Sequence, residues 1–234
     1  MSAFRRLVCA ALCAGLVSGI FVAGAHQLGT VPLIIEAEAY ERAAQHPATG
    51  ADAHPAAAAH EDDSSWAPQN GIERAAYTLV ADLLTAIGFA LLLAAGLTLR
   101  GGAVTWRGGL FWGLAGFATF TLAPGLGLPP EIPGTEAAPL AARQLWWVAT
   151  VASTGGALAL LAFTRRARYT ALAALLIVLP HIYGAPQPAD YAAAAPEALA
   201  HRFVVAATLV SFVFWAALGA STGYFYRRFE RWPG

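Results

Sequence analysis

The sequence predicts an all-α, polytopic membrane helix bundle, and three observations predict it. Apolar residues make up 58% of the 234-residue chain and charged residues only 12%, with a mean hydropathy of +0.55. A soluble domain has about 25% charged residues. The apolar residues gather into stretches close to the roughly 20 residues that a membrane helix needs. The arginines alternate between connecting segments as the positive-inside rule expects. Residues 1–234 read as a single membrane domain with six spans.

The first span is Leu7–Ala25, which carries no charge. Arg5, Arg6 and the small residues Ala23-Gly24-Ala25 also fit a signal peptide, and its cleavage would leave five spans. The run is long for that, and Gly15 and Gly19 sit one turn apart as a packing face. Residues 26–78 read as a long, acidic, His-containing outer loop. Leu79–Leu99 is the second span, with Asp82 its only charge. Gly108–Ala123, closed by Pro124, is the third and is short. Leu145–Thr164 is the fourth. Tyr169–Tyr183 is the fifth, short and broken by Pro180. Phe203–Phe225 is the sixth. A short stretch that does not span would also reduce the number to five.

Charge fixes the orientation. With the amino terminus inside, the inner segments hold Arg5, Arg6, Arg100, Arg107, Arg165, Arg166, Arg168, Arg227, Arg228 and Arg231. The outer segments hold Arg42, Arg74, Arg143 and Arg202. Both termini are then cytoplasmic, in an inner (plasma) membrane. Fourteen acids balance fourteen bases, so no net field invites nucleic acid. The chain contains no Lys, which excludes a Walker A lysine and a Schiff-base lysine. Gly109 with Gly113 and Gly116, and Gly219 with Gly223, are further small-residue faces. Trp106, Trp112, Trp146, Trp147 and Trp232 read as interfacial belt residues. Cys9 and Cys13, one turn apart, read as small packing residues.

This topology puts all six His outside or at the outer boundary, together with most of the acids. Imidazole with carboxylate is the ligand set of borderline divalent metals. His46, His54 and His60 lie in the outer loop, where Pro follows two of them and their spacing fits no single helix face. They read as weak ligands on a tether, or as a merely solvated segment. His26 ends the first span and His181 ends the fifth, where an ionisable group is costly unless it faces water or the bundle interior. Each is a candidate ligand, with capping of helix carbonyls as the alternative. His201 precedes the sixth span and is a weaker candidate. Asp82 shares a helix face with Thr78 and Thr85; a cation pathway and a pairing with Arg74 are both open. Glu131 joins His26, His181 and Asp82 as a candidate for an outer vestibule, with His181 and Asp82 expected to face one another. A haem held by His26 and His181 is the redox alternative, although no CxxCH motif is present. A scaffold without a pore is a third reading.

Several stretches carry a resemblance. These are Gly71-Ile72-Glu73-Arg74, Gly88-Phe89-Ala90-Leu91-Leu92-Leu93-Ala94-Ala95 and Gly109-Leu110-Phe111-Trp112-Gly113-Leu114-Ala115-Gly116-Phe117. Ala123-Pro124-Gly125-Leu126-Gly127-Leu128-Pro129-Pro130-Glu131-Ile132-Pro133-Gly134 follows, then Arg143-Gln144-Leu145-Trp146-Trp147 and Leu179-Pro180-His181 through Ala185-Pro186. In this order they resemble the CbtA family, described as predicted cobalt transporter subunits. The resemblance implies an integral membrane transporter subunit, not an enzyme, moving Co²⁺ or Ni²⁺ as substrate in vitamin B12-linked uptake. It also implies a partner of the CbtB type, a short one-span protein with a His-rich end. Lipid is the other partner, and a homo-oligomer is left open. The family carries no established ligand residues to transfer, so the candidate sites rest on sidedness alone.

Overall fold

A computed structural model of the chain describes residues 3–45, 68–164, 166–189 and 192–230. Its helices are α1 (Ala3–Gly29), α2 (Val31–Gln45), α3 (Ile72–Arg100) and α4 (Trp106–Phe117). They continue with a π-helical segment (Ala118–Leu122), α5 (Ala123–Gly125), α6 (Leu140–Phe163), α7 (Ala167–Tyr183) and α8 (Glu197–Glu230). Among the described residues there is no strand, only one antiparallel bridge between Thr135 and Ala193. Four helices are long and apolar enough to cross a membrane: those covering Phe4–Gly29, Ile72–Arg100, Leu140–Phe163 and Glu197–Glu230. Ala167–Tyr183 is a shorter apolar helix.

Helices in lipid gain little from apolar burial alone, so close backbone packing and interhelical hydrogen bonds hold them together. Glycine makes the closest contact, between α4 and α8. A Cβ on Gly109 would lie 2.7 Å from Gly223 Cα, and one on Gly113 would lie 2.8 Å from Gly219 Cα. The two backbones therefore touch, and Trp215 of α8 lies on Gly116. A second contact joins α1 to α3, where a Cβ on Gly15 would meet Ile87 Cα at 2.6 Å and one on Gly19 would meet Leu83 Cα at 2.9 Å. Ser18 and Ser221 hydroxyls, 3.0 Å apart, tie α1 to α8. At the arginine-rich end, Tyr226 hydrogen-bonds Thr98 at 2.9 Å and accepts from Arg6 at 3.3 Å. The core is thus α1, α3, α4 and α8, with the pair α6–α7 attached through the π-helical segment.

The segment expected as a loop over 26–78 is structured in part. α1 runs on to Gly29, and Val31–Gln45 is a helix. Thr30 makes the turn, and Pro32 sits in the first turn of α2, where its missing N–H costs nothing. Leu33 and Ala37 of α2 pack with Ile132, Ala195, Leu199 and Phe203. Glu38 accepts from Arg74 of α3 at 2.7 Å, and Glu36 lies 3.9 Å from Arg202 of α8. α2 therefore caps the end of the bundle away from Tyr226.

Other expectations shift. The stretch expected to close at Pro124 is helical from Trp106 to Gly125. Pro124 has no N–H for the carbonyl four residues back, and the turn before it widens into the π form. Pro180 does not break its helix, which continues to Tyr183 and ends at Gly184, where φ is 89°. One expected belt residue lies inside: Trp146 is buried, whereas Trp112 is half-buried and packs against Gly96. Trp232 lies outside the described residues.

The glycine contact is directly testable. Gly113→Ala drives a methyl into the α8 backbone and is expected to cost about 1–3 kcal/mol through overpacking. Gly88→Ala meets open space and is expected to be neutral or stabilising by up to about 1 kcal/mol from helix propensity. Thermal unfolding in detergent distinguishes the two.

Candidate functional site

The polar chemistry of the cap end centres on α1 and α3. Gly15 lies level with Ile87 and Gly19 with Leu83, so the helices run antiparallel in close contact. His26 lies about six residues, or roughly 9 Å, further along α1 than the level of Asp82. Side chains on a helix tilt toward its own N-terminus. His26 therefore leans back along α1 and Asp82 leans toward the cap, and the two meet. His26 Nε2 lies 3.8 Å from Asp82 Oδ1. Arg74, the alternative partner for Asp82, is taken by Glu38.

That 3.8 Å separation is too long for a hydrogen bond. It is shorter than the roughly 4.1 Å that a nitrogen and an oxygen can span when each binds one ion at 2.0–2.1 Å. His26 Nδ1 is 2.8 Å from Thr30 Oγ1, and that hydroxyl donates to the His26 carbonyl at 3.4 Å. In the tautomer where Nδ1–H donates to Thr30, the Nε2 lone pair faces the carboxylate. Asp82 Oδ2 is buried with no hydrogen-bond partner. In that tautomer two electron-rich atoms face one another beside an unsatisfied carboxylate oxygen. A cation between them would satisfy all three, and Thr30 would hold the ring as an outer-sphere partner does in metal sites.

His181 lies elsewhere. Its helix α7 packs on α6, and no comparable interface joins α7 to α3. The expected facing of His181 and Asp82 is therefore corrected: the partner of Asp82 is His26. The His181 ring is edge-on to Trp146, with centroids 5.9 Å apart, and its Nε2 is buried without a hydrogen-bond partner. Trp146 Nε1 donates to the Pro180 carbonyl at 3.2 Å. Gly127 makes room for the indole, since a Cβ there would lie 2.8 Å from Trp146 Cζ2.

Glu131 accepts from Arg143 at 2.9 Å in a half-exposed ion pair. His201 is exposed at the start of α8 and lines a groove with Leu28 and Gly29. His46, His54 and His60 lie outside the described residues. Among the described residues, no three His, Cys, Asp or Glu side chains converge to hold a metal. His26 with Asp82 is a two-ligand arrangement. Sequence reasoning picked out both members but missed Thr30, although its spacing of four from His26 on one helix face was a usable signal.

The family described as probable cobalt transporter subunit (CbtA) matches residues 4–227, nearly the whole chain. No curated protein and no solved structure matches it. The His181 cluster can be tested without cargo. Trp146→Phe removes the bond to Pro180 and is expected to lower stability by about 1 kcal/mol, read as a lower unfolding temperature in detergent.

Proposed function

Because the chain belongs to the CbtA family, a membrane-embedded subunit of a cobalt transporter, we propose that His26 and Asp82 form the first binding site for Co²⁺ on its path inward. The observation that carries this reading is the 3.8 Å gap between Nε2 and Oδ1 beside the unpartnered Oδ2. One imidazole and one carboxylate suit a borderline ion such as Co²⁺ or Ni²⁺, whereas Mg²⁺ prefers oxygen and keeps its waters. Water or a partner subunit completes the coordination. A one-span CbtB-type protein with a His-rich end has the chemistry to do so, and the cargo feeds vitamin B12 synthesis in this reading. The chain acts as a transporter subunit, without enzymatic activity of its own.

The topology proposed is six spans in an inner membrane, with both termini cytoplasmic and the α2 cap outside. The run from Trp106 to Gly125 supports a third span, because 20 helical residues extend about 30 Å, the thickness of the hydrocarbon core. The 17 residues of α7 reach roughly 25 Å. Arg6, Thr98 and Tyr226 gather at the arginine-rich end, opposite the Glu38–Arg74 pair. A dication moving inward gains about 4.6 kcal/mol per 100 mV, twice the value for one charge. Residues 1–234 act as one membrane domain. His181, Glu131 and His201 serve as secondary ligands apart from this pair, and His46, His54 and His60 raise local metal concentration. The haem alternative needs His26 and His181 on one iron, and α1 and α7 share no comparable interface.

Radiolabelled cobalt uptake tests the site. Thr30→Val is expected to weaken apparent cobalt affinity by about 10- to 100-fold, the usual loss for an outer-sphere partner. Asp82→Asn should reduce uptake further and at every concentration. Replacing His46, His54 and His60 together should matter mainly at low metal. Unchanged uptake in Asp82→Asn, with expression intact, would sink the entry pair. Assays with the chain alone and with its partner separate a permease from an accessory scaffold. Reporter fusions after Arg166 and after Arg228 should both read cytoplasmic.

A further inference from the structure

An open groove of about 1030 Å³ runs between α3, α4 and α6. Its walls are apolar, and its mouth carries Arg100 and Arg107, both exposed. Among the described residues, no carboxylate lies within ion-pair reach of either arginine. An apolar groove is no path for a hydrated dication, so the transport reading does not use it.

Its length says what fits. Along α4 and the π-helical segment the lining runs from Arg107 to Phe120, about 20 Å at 1.5 Å per residue. The hydrocarbon of one leaflet is about 15 Å deep, half of the 30 Å core. The lining goes no further than Phe120. Phe120 stacks on Trp215 with centroids 5.6 Å apart and approaches Trp147 of α6 at 6.3 Å. The π-helical segment packs on α6 at the same level. A transmembrane helix of another protein would need a channel along the full thickness of the bilayer, about 30 Å, and this groove offers about two thirds of it.

We propose that the groove holds the acyl chains of an anionic phospholipid from the arginine-rich leaflet, with its phosphate on Arg100 and Arg107. Basic recesses between membrane helices recognise anionic headgroups in this way. The lipid would fill the space that separates the lower halves of α4 and α6 and fasten the α6–α7 pair to the core. The proposal depends on the arginine-rich end lying at a membrane surface, and it is independent of the cobalt site.

The test is native mass spectrometry of the full chain from nanodiscs of phosphatidylglycerol mixed with phosphatidylcholine. The wild type should retain phosphatidylglycerol in about thirtyfold preference, from about fivefold per arginine. The variant with Arg100→Gln and Arg107→Gln should lose that preference and still carry lipid. Gly156→Leu should lose bound lipid of both kinds. Gly156 lines the groove and a Cβ there meets nothing within 4 Å, so the leucine fills the groove without disturbing its helix. A benzophenone side chain placed at Ala159, another lining position, should crosslink to phospholipid. No headgroup preference in the wild type, or an unchanged preference in the double variant, overturns the proposal. So does a benzophenone adduct to a one-span protein in place of lipid.

Discussion

The backbone contact between α4 and α8 is the constraint on which the rest depends. Glycine at Gly109, Gly113, Gly219 and Gly223 removes every side chain from the line where the helices cross. That proximity seats Trp215 over Gly116, and Trp215 in turn donates to Thr121 at 3.3 Å and stacks on Phe120. The π-helical segment, and α6 through it, hang from this point. In lipid no apolar driving force would restore the arrangement if the helices were held apart.

The same economy of side chains operates between α1 and α3, where its consequence is chemical. Gly15 and Gly19 let α1 approach until the turn bearing Asp82 lies beside it. A wider gap would leave an acid facing lipid, which is costly. The α2 cap then covers this end through the Glu38–Arg74 pair and the cluster around Leu33 and Phe203. Half-exposed ion pairs contribute little, up to about 1 kcal/mol each. The apolar contact accounts for more of the docking, and the charges fix its register.

The sequence carried much of this in readable form. The apolar runs and the glycine spacings have helical length or periodicity as their signal: every run is helical, four of the helices are long and apolar enough to cross a membrane, and the glycines stand at the α1–α3 and α4–α8 contacts. What it hid were effects of tertiary contact. The partner of Asp82 depended on the register of α1 against α3, which hydropathy does not encode. Trp146 sits near a predicted interface, and only the proximity of Gly127 and Pro180 shows that it is buried. α2 was obscured by its five charged or amide side chains within fifteen residues. Pro180 read as a helix breaker, but it stands in the last turn of α7, where the one bond it forfeits is that to the Leu176 carbonyl and the helix ends three residues later.

The central claim is that one ion binds between His26 and Asp82, and the most direct measurement is anomalous diffraction at the cobalt edge from crystals of the protein soaked in Co²⁺. The account predicts a peak about 2.0–2.1 Å from both His26 Nε2 and an Asp82 carboxylate oxygen, absent from crystals of Asp82→Asn. A cobalt peak confined to other residues, or an unaltered peak in that variant, would contradict it.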